Sequence, residues 1–411
     1  MGILDIDPNK FDPTQSVMEE MAVSRRSFLR TAAIGATALA AGQLFPAFGA
    51  TDPRDETKDL FEAGRPKRLP RWRGFNLIDM AETNMCYHDR SNEDFVIDIS
   101  EDDFRWIRDW GFDFVRVCLN YRVWATGDDL YSVNEERLAM IDRVVNLGQK
   151  YNIHVSLDMH RAPGKWEIPE RNPPLILWRS QEALDALCFH WKMLARRYRG
   201  IPNRQLSFDL LNEPETMVSA DSLDPTQARR FTREEVIHVT RAMVLAVRED
   251  DPRRLILVEG PNWGRTHLPE IDDLDVCWSF HNWDPHVLTH YGRPENGYPA
   301  DRTPLPVWPP VGSPCGVDWH RRHMAPWFNL ARQGVGVHMG EMGGNENCPH
   351  ELILPWLRDM LAALKEEQIG WSMFSLRGRF GLVDSRRKDV TYEDWYGHKL
   401  DRAMLSVLQK G

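Results

Sequence analysis

From residue 70 onward the chain alternates between two hydrophobic periods. Short runs rich in β-branched and aromatic residues occur at 72–77, 114–119, 154–159, 206–210, 255–258, 276–280, 335–339 and 369–374. Between them apolar residues recur at helical spacing, as in Leu138, Ile141, Val144, Val145 and Gly148, or Leu184, Leu187, Trp191, Leu194 and Tyr198. The first pattern marks strands and the second marks helices that bury one face. Eight strands alternating with helices predict an α/β fold, a single (β/α)8 barrel over residues 70–411.

The connections sharpen this expectation. Helix-to-strand links are short, such as Gly111-Phe112-Asp113 and Tyr151-Asn152, whereas strand-to-helix links are long, the sixth running from His281 to about Trp319. In such a barrel the long links crowd one rim, at the C-terminal ends of the strands, and the functional site is expected there.

Composition narrows the class. The 411 residues are 42% apolar and 27% charged, which excludes a disordered or collagen-like chain. Net charge is −10 and no basic tract in the body of the chain could follow a phosphate backbone, so nucleic acid is not an expected partner. The six cysteines form no C-x-x-C and no zinc spacing; Cys315 and Cys348 lie in loop-like sequence, and whether they pair is left open. Tryptophan is abundant, 16 against 9 tyrosines. Trp106, Trp110, Trp191 and Trp356 fall on helical faces and are expected in the core. Trp124, Trp166, Trp178, Trp263, Trp283, Trp308 and Trp371 fall in or near the rim loops, where indole faces could stack on sugar rings.

The first fifty residues are set apart. Ser24-Arg25-Arg26-Ser27-Phe28-Leu29-Arg30, a mildly apolar Ala/Gly-rich stretch and a small-residue site near 49 resemble a twin-arginine export signal. Residues 1–50 are therefore expected to be a leader and 51–69 a polar lead-in, with the mature chain acting in a periplasm or outside the cell. No other apolar stretch approaches 18 residues, so no membrane span is expected after the leader.

Polar groups recur where the strands end. Arg116 lies inside the second strand, His160 follows the third, Asn212 and Glu213 the fourth, His281 and Trp283 the sixth, Glu341 the seventh and Trp371 the eighth. The fourth and seventh strands bring two carboxylates, Glu213 and Glu341, to one mouth. Cleaving a glycosidic bond with retention needs one carboxylic acid and one nucleophilic carboxylate about 5–5.5 Å apart. Charges that close titrate as a unit. Arg116 is suited to keep the nucleophile ionised, Asn212 to bond a sugar 2-hydroxyl, and His160 and His281 to position neighbours. No metal is expected, because the first strand ends in Asn76-Leu77-Ile78-Asp79 and not in the His-x-His of a barrel metallohydrolase. Gly260-Pro261-Asn262-Trp263-Gly264 lacks phosphate-loop spacing and reads as a tight turn presenting Trp263.

Six motifs in order, FVRV around Arg116, DMHRAPG around His160, LSFDLLNEP ending at Glu213 and Pro214, SFHNWDPHVLTH, GVHMGEMG around Glu341 and GWSMFSL around Trp371, resemble glycoside hydrolase family 5 over roughly residues 70–405. The resemblance implies a metal-independent, cofactor-free retaining β-glycosidase with Glu213 as acid/base and Glu341 as nucleophile. It implies supporting roles for Arg116, His160, Asn212 and His281, and Trp371 as the platform under the reacting sugar. An oligo- or polysaccharide substrate follows, first an endo-acting β-glucanase of cellulase type, with an exo-β-glucosidase or β-mannanase as alternatives. A non-catalytic carbohydrate-binding barrel is the alternative of another class. Oligomeric state stays open. One position departs: the family's His-x-Tyr is here His281-Asn282-Trp283, and the Trp283 indole is expected to donate to Glu341 in place of the phenol.

Overall fold

The computed structural model describes residues 68–80, 99–127, 129–165, 175–313 and 315–411. The expected leader with Arg25-Arg26, nearly all of the expected lead-in, Cys86 and Trp166 lie outside the described residues.

Eight parallel strands close into a barrel: β1 Arg73–Leu77, β2 Phe114–Asn120, β3 His154–Arg161, β4 Leu206–Asp209, β5 Ile256–Glu259, β6 Cys277–His281, β7 Val337–Met342 and β8 Gly370–Met373. Each strand neighbours the next in sequence, and β8 pairs with β1 to close the ring. This is the predicted (β/α)8 architecture, with every strand within a few residues of its expected run. The outer helices include α1 Glu101–Asp109, α2 Glu135–Tyr151, α3 Gln181–Arg197, α4 Arg233–Asp250, α5 Gly316–His323, α6 Ala325–Arg332, α7 His350–Glu366 and α8 Arg402–Lys410. Local chemistry sets their starts. Ser100 and Thr232 cap α1 and α4 in reciprocal capping boxes with Asp103 and Glu235, and Asn134 and Ser180 cap α2 and α3. Each such cap stabilises by about 1 kcal/mol. Between β5 and β6 the helix shrinks to a 3-10 turn, Pro269–Leu274. No described helix is long and apolar enough to cross a membrane.

The apolar core divides in two. One large cluster fills the shell between barrel and helices and contains Trp106, Trp191, Trp356 and Trp371. A second, small cluster of Leu69, Trp72, Phe114, Leu255, Leu257 and Cys277 plugs the N-terminal end of the tube, where the Trp72, Phe114 and His154 rings stack against one another. Above that plug the lumen is polar. Side chains two apart on a strand share a face, so Arg116 and Cys118, Ser156 and Asp158, Ser279 and His281, and Asn76 point into the tube; all are buried. A barrel usually fills this space with branched hydrocarbons. Here it holds the charges that support the mouth.

Candidate active site

Arg116 is the hub. Its guanidinium reaches Asp209 Oδ2 at 2.9 Å, Glu259 Oε1 at 2.6 Å, Asn212 Oδ1 at 2.9 Å, Asn76 Oδ1 at 3.0 Å, Asp158 Oδ1 at 3.1 Å and Glu341 Oε1 at 2.9 Å. A planar fork of five N–H donors is the group that can serve so many acceptors at once. With its Oδ1 fixed by Arg116, the Asn212 amide directs its N–H donors away from the guanidinium.

Glu341 enters the lumen through a β-bulge. The register slips on both sides of β7, between Phe280 and His281 on β6 and between Trp371 and Met373 on β8. The Gly340 carbonyl at the bulge accepts hydrogen bonds from Asn76 Nδ2 at 2.9 Å and Ser372 Oγ at 2.7 Å. A Cβ on Gly340 would stand 2.3 Å from Ser279 Oγ and 3.0 Å from His281 Nε2, so only glycine lets the bulge lie against the imidazole.

Glu213 directly follows the three-residue Leu210-Leu211-Asn212 link that leaves β4, with φ +43°, in the left-handed region. That conformation costs an ordinary residue about 1–2 kcal/mol, and the Glu213 N–H is held by Glu259 Oε2 at 2.7 Å. His281 Nδ1 lies 2.9 Å from Glu213 Oε1 and 3.6 Å from Glu341 Oε2, while its Nε2 is 3.1 Å from Glu259 Oε1. One ligand-type atom from each of Glu213, His281 and Glu341 falls within 4.8 Å of the others.

Burial opposes charge on every one of these groups, so they cannot all ionise. Burial pushes Asp158 well above the usual carboxylate range and lifts Asp209 to about 6, where the nearby Glu259 charge adds to the effect. Glu259 goes the other way: against burial, His281 and Arg116 hold it at about 2. Burial raises Glu341 to about 7, with His281 pulling down and Glu213 pushing up. In Glu213 burial is the largest influence and pushes upward, but the His281 hydrogen bond, the His281 charge and Lys165 together outweigh it and the pKa falls. His281 itself, against burial, is held protonated by Glu259, Glu341 and Glu213. Burial drives His160 well below its ordinary value, so it is a neutral partner to Asp158 Oδ2 at 2.8 Å. Asp158, Asp209 and Glu259 are close enough to hold a metal ion, but the Arg116 guanidinium contacts all three and supplies the positive charge itself.

The sequence-predicted residues do not all converge. Arg116, Asn212, Glu213, His281 and Glu341 form one network, and His160 joins it through Asp158. Trp371 does not: it is fully buried in the shell core with its ring 5.8 Å from Phe112. Its parity is wrong, because the lumen face of β8 carries Gly370, Ser372 and then Phe374. Phe374 is the half-buried ring at the mouth, 6.4 Å from His160 and nearly parallel to it. Trp283 makes no hydrogen bond to Glu341, and neither does Tyr291; the indole packs edge-on against His290, Phe374 and Phe380 and extends an aromatic wall. Glu341 instead takes its donor from Arg116. Trp263 is presented as expected, 40% exposed, on a turn with left-handed φ at both Asn262 and Trp263. That turn is tied to the Glu213 loop by Asn262 N to Glu215 O at 2.6 Å and Trp263 N to Pro214 O at 2.9 Å. Of the other rim tryptophans, Trp124 and Trp178 are buried, and Trp308 donates to Asp359. Cys315 and Cys348 are both free thiols.

Three features of the site escaped the sequence reading. Glu259 was hidden because the fifth strand reads one residue short, ending at 258. Phe374 was hidden by the more conspicuous Trp371 in the same run. Lys165, buried and donating to the Asn212 carbonyl, follows the HRAPG stretch and carries no spacing signal.

The cellulase profile (glycosyl hydrolase family 5) matches residues 73–379. Endoglucanase C of Acetivibrio thermocellus is 30% identical over 332 residues, covering 74% of this chain and 91% of that protein. Cellodextrinase A of Ruminococcus flavefaciens is 33% identical over 217 residues, 51% of this chain and 58% of that one. Among solved structures, one described as a glycoside hydrolase superposes with a TM-score of 0.70 at 30% identity, covering 83% of this chain and 99% of its own.

Proposed function

The chain belongs to glycosyl hydrolase family 5, and from that membership we propose that it cleaves a β-glucan internally and with retention, using Glu341 as nucleophile and Glu213 as acid/base. The observation that carries this reading is the approach of the Glu213 and Glu341 oxygens to within 4.8 Å across His281, at one mouth. Such closeness suits a covalent glycosyl-enzyme and leaves no room for the separately bound water of an inverting pair. The relatives named endoglucanase and cellodextrinase favour a β-glucan substrate.

The sequence of steps follows from the contacts. Glu341, once ionised, is held by Arg116 and attacks the anomeric carbon. The leaving oxygen takes a proton from Glu213, which receives it from His281 along the 2.9 Å Nδ1–Oε1 contact. Asn212 donates to the 2-hydroxyl, a bond that tightens in the transition state, and Phe374 underlies the reacting ring. Water then returns the proton to Glu213 as it releases the sugar from Glu341. The Arg25-Arg26 segment supports action outside the cytoplasm.

Trapping with 2,4-dinitrophenyl 2-deoxy-2-fluoro-cellobioside tests the assignment, with a mass label expected on Glu341 and the β-anomer as first product by NMR. Full hydrolysis of cello-oligosaccharides by both Glu213→Gln and Glu341→Gln, or an α-anomer first, would overturn it.

A further inference from the structure

Glu259 closes β5 and is buried, and its two oxygens face three separate parts of the site. Oε1 accepts from Arg116 at 2.6 Å and faces His281 Nε2 at 3.1 Å, and Oε2 accepts the backbone N–H of Glu213 at 2.7 Å. The imidazole therefore lies between two carboxylates: Glu213 Oε1 bonds Nδ1 at 2.9 Å, and Glu259 Oε1 stands 3.1 Å from Nε2 as an ion-pair contact without hydrogen-bond alignment. Two ionised carboxylates facing the two ring nitrogens favour the imidazolium, because a bare nitrogen would set its lone pair against an ionised oxygen.

We propose that Glu259 is a positioning residue that keeps His281 doubly protonated and aimed at Glu213, so that the acid/base glutamate is supplied with its proton through the ring. The proposal rests on the reading of Glu213 and Glu341 as the working pair. The transfer is balanced: the proton leaves Nδ1 for Glu213 Oε1, the ring becomes neutral while keeping its Nε2–H on Glu259, and the water of the second half-reaction restores the proton. The other charged groups facing this line do not replace Glu259. Arg116 is a donor and would repel an imidazolium. Asp158 and Asp209 contact the guanidinium and not the ring. Glu341 lies 3.6 Å from the nitrogen already taken by Glu213. Lys165 and His160 lie on the β3 side and add no negative charge.

Glu259→Gln is isosteric but cannot do the same work. Its amide has one acceptor oxygen, so it can serve either Arg116 and His281 or the Glu213 N–H, and the other side meets an N–H donor. The expected result separates substrates by leaving group. Hydrolysis of cellopentaose, whose leaving sugar needs the proton, falls about 100-fold, the lower range for loss of general-acid assistance. With 2,4-dinitrophenyl cellobioside, whose leaving group needs none, the glycosylation rate stays within about threefold of wild type. The alkaline limb of kcat/KM on cellopentaose moves acidward by about one pH unit. Trapping by the 2-fluoro cellobioside still labels Glu341. An equal loss on both substrates with an unmoved alkaline limb, or no loss on either, would overturn the proposal while trapping at Glu341 keeps the active-site reading intact. A label elsewhere in the wild type would overturn both together. If Glu259→Gln fails to fold, the wild type decides: in 15N-histidine-labelled protein the resonances lost in His281→Asn should show both ring nitrogens protonated at pH 7, and a neutral ring overturns the proposal.

Discussion

Trp371 and Phe374 stand three residues apart and face opposite ways. Trp371 fills the shell behind the barrel, so Trp371→Ala is expected to destabilise by about 3–5 kcal/mol, measured by denaturant unfolding, with KM on cellopentaose near wild type. Phe374→Ala should do the reverse: an unchanged unfolding midpoint and a kcat/KM lower by about tenfold, the worth of an aromatic contact of about 1.5 kcal/mol. Equal stability losses in the two variants would contradict the parity argument. Glu341 gives a second expectation at this scale. Its pKa is raised to about 7 by burial, and in the proposed nucleophilic role it must be ionised. The charged, active form is therefore lost as pH falls, and kcat/KM should drop through about pH 7, well above the acid limb of an ordinary carboxylate. His281, held protonated, sets the opposite limb. A profile flat from pH 8 to pH 5 would count against that assignment.

Two short elements aim the residues that act. The β7 bulge turns Glu341 toward the lumen, and Gly340→Ala would drive a methyl group into Ser279 Oγ and the His281 ring. Overpacking of this kind is expected to cost about 1–3 kcal/mol in unfolding experiments and to lower kcat beyond the loss of folded protein. The Gly260–Gly264 turn works on the acid side. A Cβ on Gly260 would meet the Thr266 carbonyl at 1.7 Å, and the left-handed Asn262 and Trp263 bind the loop that carries Glu213. On the proposal that Glu213 serves the leaving group, Trp263→Ala should raise KM for long oligosaccharides several-fold (about 1 kcal/mol) and leave aryl cellobiosides unaffected; an equal change on both would refute a leaving-group role. The elements themselves were legible because hydrophobic period and link length are local properties. Glu213 and Glu341 were legible because barrel topology brings strand ends together. What was not legible turned on single-residue facts: where β5 stops, which face of β8 turns inward, and that Arg116, already donating to Glu341, leaves no need for Trp283 to do so.

At the scale of the molecule, stability and chemistry occupy different spaces. The hydrocarbon lies outside the strands and in the plug beneath them, while the upper lumen holds Arg116 and its carboxylates. Because that guanidinium supplies the cluster's positive charge, dialysis against a chelator is expected to leave hydrolysis of cellopentaose unchanged, and a loss restored by a divalent ion would refute this. If the proposed export through Arg25-Arg26 holds, Arg25→Lys with Arg26→Lys should keep the protein in the cytoplasmic fraction, and unaltered export would exclude the twin-arginine route.

The split between an oily jacket and a charged bore also bears on how such a protein can diverge. Substitutions in the rim loops leave both the jacket's packing and the bore's charge network in place, so a descendant acquires a taste for another sugar there without first passing through an unfolded ancestor.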